Sequence, residues 1–144
     1  MSGLDALYQD RLLELAGKIA RNGHVVDAPT AEGSAYSAAC GSKLTAKVRI
    51  EYGIVTDYGQ EVDACALGSA AASVVGANVI GLTIAEVRTG RDQMTAMLKS
   101  GAPPPTEAFE ELKLLEGARD FTNRHGSMLL VFSALEKAFK SAGY

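Results

Sequence analysis

Residues 44–64 read LTAKVRIEYGIVTDYGQEVDA and set the architecture expected for the whole chain. Apolar and polar residues alternate over residues 44–52, which is the period of a strand with one buried face. Tyr52-Gly53 supplies a turn, and a second extended run follows from Ile54 to about Ala64. Two such runs with a short glycine-containing junction predict an antiparallel hairpin. The buried face of its first strand is expected to carry Leu44, Ala46, Val48, Ile50 and Tyr52.

Before the hairpin, the pattern predicts one helix, one loop and one strand. Residues 4–21 place apolar side chains at helical spacing, and Asn22-Gly23 is expected to end that helix. Residues 22–35 are predicted as a loop, and residues 36–40 as a third strand beside the hairpin. The apolar stripe of the helix consists of Leu4, Tyr8, Leu12, Leu15 and Ile19.

After the hairpin, the sequence predicts four helices, at residues 67–80, 83–99, 106–115 and 125–142. The first is small and apolar and is expected to be buried. The second begins with the capping-box pattern Thr83 to Glu86, and Thr106 is placed to cap the third. The buried stripe of the last helix is expected to consist of Met128, Val131, Phe132, Leu135 and Phe139.

Strands grouped before helices predict an α+β fold rather than a parallel doubly wound sheet. The expected architecture is a small antiparallel three-stranded sheet, with an N-terminal helix and C-terminal helices packed on one face. A chain of 144 residues without internal repeats is the size of one domain, so residues 1–144 are predicted to form a single domain.

Composition excludes several classes of function. The net charge of −3 lacks the basic footprint of nucleic-acid binding, so no nucleic-acid partner is expected. No apolar run approaches the roughly 20 residues that a spanning helix needs, so no membrane partner is expected either. The first residues, MSGLDALYQD, do not resemble a secretory signal, and a cytoplasmic location is predicted.

Two cysteines at element boundaries are candidates for chemistry. Cys40 lies near a strand end, and Cys65 comes directly before a predicted helix. The positive end of a helix dipole stabilises a thiolate, which is the form that binds metal or attacks sulfur. From the residues alone, burial of both as small hydrophobes is the competing interpretation. Their spacing matches no zinc-finger pattern.

The histidines are less informative by themselves. His125 opens the last helix, where a lone histidine is usually a capping or surface residue, and His24 lies in a loop without a motif around it. The sequence contains no Ser/His/Asp order, phosphate loop or paired catalytic carboxylates that stand out. The chain is therefore expected not to be an enzyme.

Three short motifs resemble a known family when taken together. The motifs are Cys40-Gly41, CALGSAAAS at residues 65–73 and RHGSML at residues 124–129. In this order they look like the motifs of the IscU/NifU-type iron–sulfur cluster assembly scaffolds. The resemblance covers roughly residues 6–139. Residues 115–121, LEGARDF, are similar to the SufU branch, which carries an insertion at this place.

The resemblance implies a site that is incomplete in this chain. The family usually has three cysteines and one aspartate, and its first two cysteines match Cys40 and Cys65. Its aspartate falls on Ser42, and its third cysteine falls on Gly126. The histidine that precedes the third cysteine matches His125. The implied ligands of a transient Fe–S cluster, or of zinc, are therefore Cys40, Cys65 and His125.

The remaining position of such a site stays open. The alternatives for the fourth ligand are water, a partner residue, Glu61 and Asp63. The ordinary interpretation of Asp63 is a solvated carboxylate at the end of a strand. Ser42 is a poor metal ligand because its hydroxyl is neutral near pH 7, so it is expected to form hydrogen bonds instead. If the resemblance holds, the Cys40 and Cys65 sulfurs lie close together at one end of the sheet, beside the start of the last helix.

The function implied is that of an iron–sulfur cluster assembly scaffold, which binds iron and a transient cluster and passes it to apo-proteins. The implied partners are a cysteine desulfurase and the recipient apo-proteins. The family's chaperone-recognition motif, Leu-Pro-Pro-Val-Lys, has no counterpart before Arg124. Two alternatives remain: a divergent zinc-binding or regulatory module of the same fold that assembles no cluster, and a sulfur carrier that takes a persulfide on Cys40 or Cys65.

Overall fold

The computed structural model describes residues 3–144, with side chains from Tyr8 onward. The order of elements is helix, three strands, then helices. These elements are α1 (Gly3–Gly17), β1 (Ala31–Ser37), β2 (Ser42–Glu51), β3 (Ile54–Asp63), α2 (Ala66–Asn78), α3 (Ile84–Ser100), a 3-10 segment (Glu107–Ala118), a 3-10 turn (Thr122–Arg124), α4 (His125–Met128) and α5 (Leu130–Ser141). The predicted α+β class and hairpin are confirmed.

The sheet is antiparallel with strand order β1-β2-β3. One face of β2 is buried against the helices, and its side chains alternate as predicted. Tyr52 is the exception: it lies in the turn with φ of 55° and is fully exposed. The alternation ends one residue earlier than predicted, because Tyr52 belongs to the turn that reverses the chain.

The first strand, β1, lies earlier than predicted. Residues 31–35 were expected in a loop and residues 36–40 in a strand, whereas β1 spans Ala31–Ser37. Its inward positions carry only Ala, Gly and Ser, so the strong signal of β-branched residues is missing. The small residues have a packing reason: a Cβ on Gly33 would lie 2.2 Å from Ala134 O, on the backbone of α5.

The first helix ends earlier than predicted, at Gly17 rather than near residue 21. The backbone of the next segment is used for tertiary contacts instead. Ala20 N donates to Ser73 Oγ at 3.1 Å, and Ala20 O accepts from Gln60 Nε2 at 2.8 Å. Along the predicted stripe of α1, Leu15 is buried, while Tyr8, Leu12 and Ile19 are half-buried. The side chain of Leu4 lies outside the described part.

The C-terminal helices confirm most of the predicted pattern. Residues 68–76 of α2 are buried, and the Thr83–Glu86 capping box is formed at the start of α3. The predicted third helix is a 3-10 segment extending to Ala118, and Thr106 makes no capping hydrogen bond. The last helix is interrupted at Leu129, which separates α4 from α5. All five residues of its predicted stripe are buried.

No helix within residues 3–144 has the length and apolar character needed to cross a bilayer.

Candidate functional site

The two cysteines lie at the end of the sheet where β1 turns into β2 and β3 leads into α2. Cys40 sits in the connection between β1 and β2, and Gly41, with φ of 67°, allows the chain to turn there. Cys65 is the N-cap residue of α2. Both side chains are half-buried free thiols. Each thiol is therefore held in a defined position and is partly accessible to solvent.

Both cysteines contact the segment that begins the last helix. Cys40 Sγ donates to Asn123 O at 3.2 Å, and Cys65 Sγ lies 3.3 Å from Ser127 Oγ. Arg124 belongs to the same segment, and its charge interacts with both sulfurs. Both cysteines therefore lie against the segment that begins the last helix, and the close approach of their sulfurs stays a prediction.

Arg124 supplies the positive charge of this site. Its hydrogen bond to the Cys40 sulfur, together with the attraction of both thiolates, raises the pKa of Arg124 above its ordinary value. The arginine is therefore charged at any physiological pH. This positive charge favours the ionised form of the Cys65 thiol.

The Cys65 thiol has a lowered pKa. Partial burial opposes ionisation, but the Ser127 hydroxyl, the amides of Gly68 and Leu67 and the charge of Arg124 outweigh it. The neutral thiol makes no capping hydrogen bond at the start of α2. The two amides act instead on the thiolate, as expected at the positive end of a helix.

A buried pair of hydroxyl groups lies behind Cys65. Ser42 Oγ is 3.0 Å from Ser127 Oγ, and both serines are buried. Ser127 thus joins Ser42 to the Cys65 sulfur. The expected hydrogen-bonding role of Ser42 is confirmed, and the position that carries aspartate in the resembling scaffolds holds a neutral group here.

His125 and Gly126 are placed differently from the cysteines. The His125 ring is buried, and its Nε2 donates to Arg119 O at 2.6 Å. Gly126 is exposed, and a Cβ there would lie 2.8 Å from Ser37 Oγ. A side chain at position 126 would therefore meet the end of β1 and need Ser37 to move.

The candidate carboxylates lie on the outer face of the sheet. Asp63 pairs with Lys43, and Glu61 pairs with Thr45, and both acids are exposed. Across residues 3–144, no group of three or more His, Cys, Asp or Glu side chains is arranged to hold a metal ion. Within the described residues, the two cysteines therefore have no third ligand of these types grouped with them.

The second histidine belongs to a different part of the molecule. His24 Nε2 lies 3.2 Å from Asp57 Oδ1, part way along β3. Arg21 Nη2 is 2.7 Å from the same carboxylate oxygen. The cluster ties the loop after α1 to the sheet, away from the cysteines, in agreement with the absence of a motif around His24.

An open cleft gives access to Cys65. It has a volume of about 470 Å³ and is lined by Cys65, Ala66, Leu67, Phe121, Asn123 and Arg124. Phe121 is 57% exposed although it is a large apolar side chain. A partner or a small reactant can therefore reach the thiol, and an aromatic surface lies directly beside it.

Sequence reasoning missed three contributors to this site. Arg124, Ser127 and Phe121 were not singled out, although the first two stand inside the motif RHGSML. Arg124 directly precedes His125, and a cation at this position in the sequence is a signal for a positive charge beside the predicted thiolates. The buried hydroxyl of Ser127 carries no signal in sequence, because serine is also common on surfaces.

Solved structures place this fold in a known class. The N-terminal part of a nitrogen-fixing NifU-like protein from Brucella abortus is similar with a TM-score of 0.90 and 41% identity, covering 99% of this chain and 98% of that one. A putative iron–sulfur cluster assembly scaffold protein for the SUF system from Fervidobacterium islandicum has a TM-score of 0.78 and 17% identity, covering 94% and 98%. The second likeness concerns the fold alone. The class is that of the NifU-like α+β domains.

A family model described as the NifU-like N terminal domain matches residues 7–126. The chain therefore belongs to the NifU-like N-terminal domain family. Comparison with curated proteins gave no match.

Replacing Ser127 with alanine should raise the pKa of Cys65, because the hydroxyl stabilises the thiolate. In a Cys40→Ser background Cys65 is the only thiol, so the rate of alkylation by iodoacetamide reports its ionised fraction. We expect the half-maximal rate to move to higher pH in the Ser127→Ala variant. The matched control is Ser133→Ala, an exposed serine on α5. An unshifted profile would contradict the role of Ser127.

Proposed function

We propose that this protein is a scaffold for iron–sulfur cluster assembly, with Cys40 and Cys65 as the residues that take up iron and sulfide. A cysteine desulfurase would supply sulfur, and apo-proteins would receive the cluster. The observation that carries the proposal is that both thiols lie against residues 123–127 at an accessible end of the fold. Membership in the NifU-like family supports it.

The chemistry of the two thiols suits a transient cargo. Soft thiolates are the preferred ligands of iron–sulfur clusters, and the lowered pKa of Cys65 provides one without a strong base. Both sulfurs are half-buried rather than enclosed, so a cluster bound there stays within reach of a recipient. Free thiols require a reducing compartment, and we place the protein in the cytoplasm for this reason.

His125 is proposed as a third ligand for a single metal ion, either iron or zinc. Its Nε2 donates a proton to the Arg119 carbonyl, which leaves Nδ1 with a free lone pair. Metal-binding histidines usually hold their other nitrogen in this way. To reach a metal beside the cysteines the ring must move from its present place, since no group of three ligand side chains is assembled within residues 3–144.

A zinc-binding or regulatory module that assembles no cluster is the second candidate. The observation in its favour is that the described residues contain no group of three side chains arranged to bind a metal ion.

Anaerobic reconstitution with ferric iron and sulfide distinguishes the candidates. After desalting, a scaffold retains iron and sulfide together, with the absorbance of a cluster. A zinc module retains neither iron nor sulfide here, but retains zinc when zinc is supplied instead. A sulfur carrier also retains neither; incubated with an organic persulfide, it accepts the outer sulfur on a cysteine thiolate, the donor leaves as a thiol, and the protein carries a persulfide without metal. Retention of nothing in all three incubations would contradict the proposal and both of its alternatives.

Replacing His125 with alanine should reduce the retention of a single zinc or iron ion by about tenfold. Metal content after desalting is the measurement, and thermal unfolding of the metal-free protein checks that the fold survives. His24→Ala is the matched control, since His24 pairs with Asp57 away from the cysteines. Unchanged metal content in His125→Ala would leave the ring as a structural contact to Arg119 only.

A further inference from the structure

The end of the molecule opposite the cysteines carries exposed apolar side chains. β2 runs for 10 residues from Ser42, on the cysteine side, to Glu51, so the turn between β2 and β3 lies about 30 Å from the cysteine end. Tyr52 in this turn is fully exposed, and Ile80 and Ile54 are 41% and 37% exposed. Together these three side chains form the hairpin surface. Clustered apolar exposure of this kind marks interaction sites, whereas single exposed apolar residues are ordinary.

Backbone hydrogen bonds hold the hairpin surface together. The connection between α2 and α3 forms an antiparallel bridge with the start of β3, at Ile54 and Thr83. Next to it, Gly81 N donates to Val55 O at 2.8 Å. Ile80, which directly precedes Gly81, is therefore held beside β3. The exposed side chains thus belong to one ordered surface.

Tyr52 occupies a backbone conformation that disfavours tyrosine. Its φ is 55° and that of Gly53 is 74°. Two-residue hairpin turns with positive φ at both positions favour asparagine or glycine at the first. A fully exposed side chain adds little to the core, so the fold alone gives no reason for an aromatic residue here. Contact with a partner gives one, because tyrosine is enriched at the energetic centres of interfaces.

A groove of about 180 Å³ adjoins the hairpin surface, between α3 and the 3-10 segment. Leu82, Ala85 and Phe109 give it an apolar lining. Gly90 lets the Phe109 ring approach α3, because a Cβ at this glycine would lie 2.3 Å from Phe109 Cδ2. Leu82 lies two residues after Ile80, so the groove extends the apolar surface along α3.

The charges along this groove are mainly negative. Glu86 and Glu107 line it with exposed side chains, and the described lining residues include no Lys or Arg. The next cleft along the 3-10 segment shares Glu107 and adds the exposed Glu110 and one cation, Lys113. Two copies meeting at this surface would bring carboxylates against carboxylates. The charges therefore favour a positively charged partner over a second copy of this chain.

We propose that the hairpin surface and the groove bind a basic, apolar segment of a partner protein. Apolar side chains of the segment cover Tyr52, Ile80 and the floor of the groove, and its Lys or Arg side chains pair with Glu86 and Glu107. An apolar centre with a charged rim is the usual arrangement of such an interface. A protein bound here leaves both thiols accessible at the other end of the sheet, and the inference does not depend on what the thiols bind.

Fluorescence anisotropy with a labelled amphipathic peptide of leucine and lysine tests the proposal. Two comparison peptides replace every lysine with glutamate or every leucine with serine. We expect the leucine–lysine peptide to bind at least about tenfold more tightly than either one. No binding of this peptide, or equal binding of either comparison peptide, would overturn the proposal.

Matched variants locate the bound peptide. Tyr52→Asn and Glu107→Lys should each weaken binding by about fivefold or more. Tyr36→Asn and Glu32→Lys should change it by less than about twofold, because both residues are exposed on the outer face of β1. Tyr52→Asn should melt no lower than the wild type, since asparagine suits the turn. Equal effects of the two tyrosine variants, or of the two glutamate variants, would overturn the location.

Light scattering of the metal-free wild-type protein covers the remaining occupant. We expect the mass of a single chain. A dimer that Tyr52→Asn separates would assign the hairpin surface to a second copy and overturn the proposal.

Discussion

Replacing Cys65 with serine is expected to lower the retention of iron and sulfide by more than about tenfold. Losing a residue that only orients a metal ligand already costs about 10- to 100-fold in affinity, and Cys65 is proposed as a ligand itself. Serine keeps the size of the side chain but removes the thiolate that Ser127, Gly68 and Leu67 stabilise. The measurement is iron and sulfide per chain after anaerobic reconstitution and desalting.

Two comparisons make this result specific. Cys40→Ser should show a similar loss, because both sulfurs lie against the segment that begins the last helix. Ser133→Ala on the exposed side of α5 should retain as much iron and sulfide as the wild type. Thermal unfolding of the metal-free variants checks that each one is folded. Full retention by Cys65→Ser would remove this residue from the site.

The second large effect concerns the fold. Gly33→Val should destabilise the protein by about 3 kcal/mol or more, because its Cβ would lie 2.2 Å from Ala134 O and 2.5 Å from Ala138 N. Both contacts are backbone atoms of α5 and cannot move aside without displacing the helix. For a chain of this size the melting temperature should fall by roughly 10 °C.

Ser34→Val provides the matched control, one residue along the same strand. The Ser34 side chain points to the exposed face, where its hydroxyl lies 2.8 Å from Thr45 Oγ1. Valine has a high strand propensity, so this variant should unfold within a few degrees of the wild type. If the two variants lost stability equally, the close packing of β1 against α5 would not be the reason.

The hairpin could be predicted because its signal is local. Alternation over residues 44–50 and the Tyr52-Gly53 turn arise from neighbouring residues, and the structure forms both. The buried stripe of the last helix is equally local. Such patterns need no knowledge of what packs against them.

The position of strand β1 could not be predicted, because its sequence is fixed by a distant contact. Gly33 is favoured by the backbone of α5, which lies a hundred residues later in the chain. Small residues at Ala31 and Ala35 serve the same close packing. By the criterion of local propensity these residues suggest a loop, and only the tertiary contact makes them a strand.

The candidate site could be predicted in part. The family resemblance implied that Cys40 and Cys65 lie together, and the structure places both against residues 123–127. The orientation of His125 was not accessible, since it depends on the carbonyl of Arg119 in a turn that lacks a clear pattern. The function of this histidine stays a prediction.

The account is tested most directly by following a cluster from this protein to a recipient. The wild-type protein is loaded anaerobically with ferric iron and sulfide, desalted, and mixed with a [2Fe–2S] apo-ferredoxin, while circular dichroism in the visible range reports where the cluster is. The account predicts that the spectrum of the ferredoxin appears as the scaffold loses its iron and sulfide, and that a Cys40→Ser, Cys65→Ser double variant put through the same loading delivers none. A wild-type protein that retains no iron and sulfide, or that never gives them up, would contradict it.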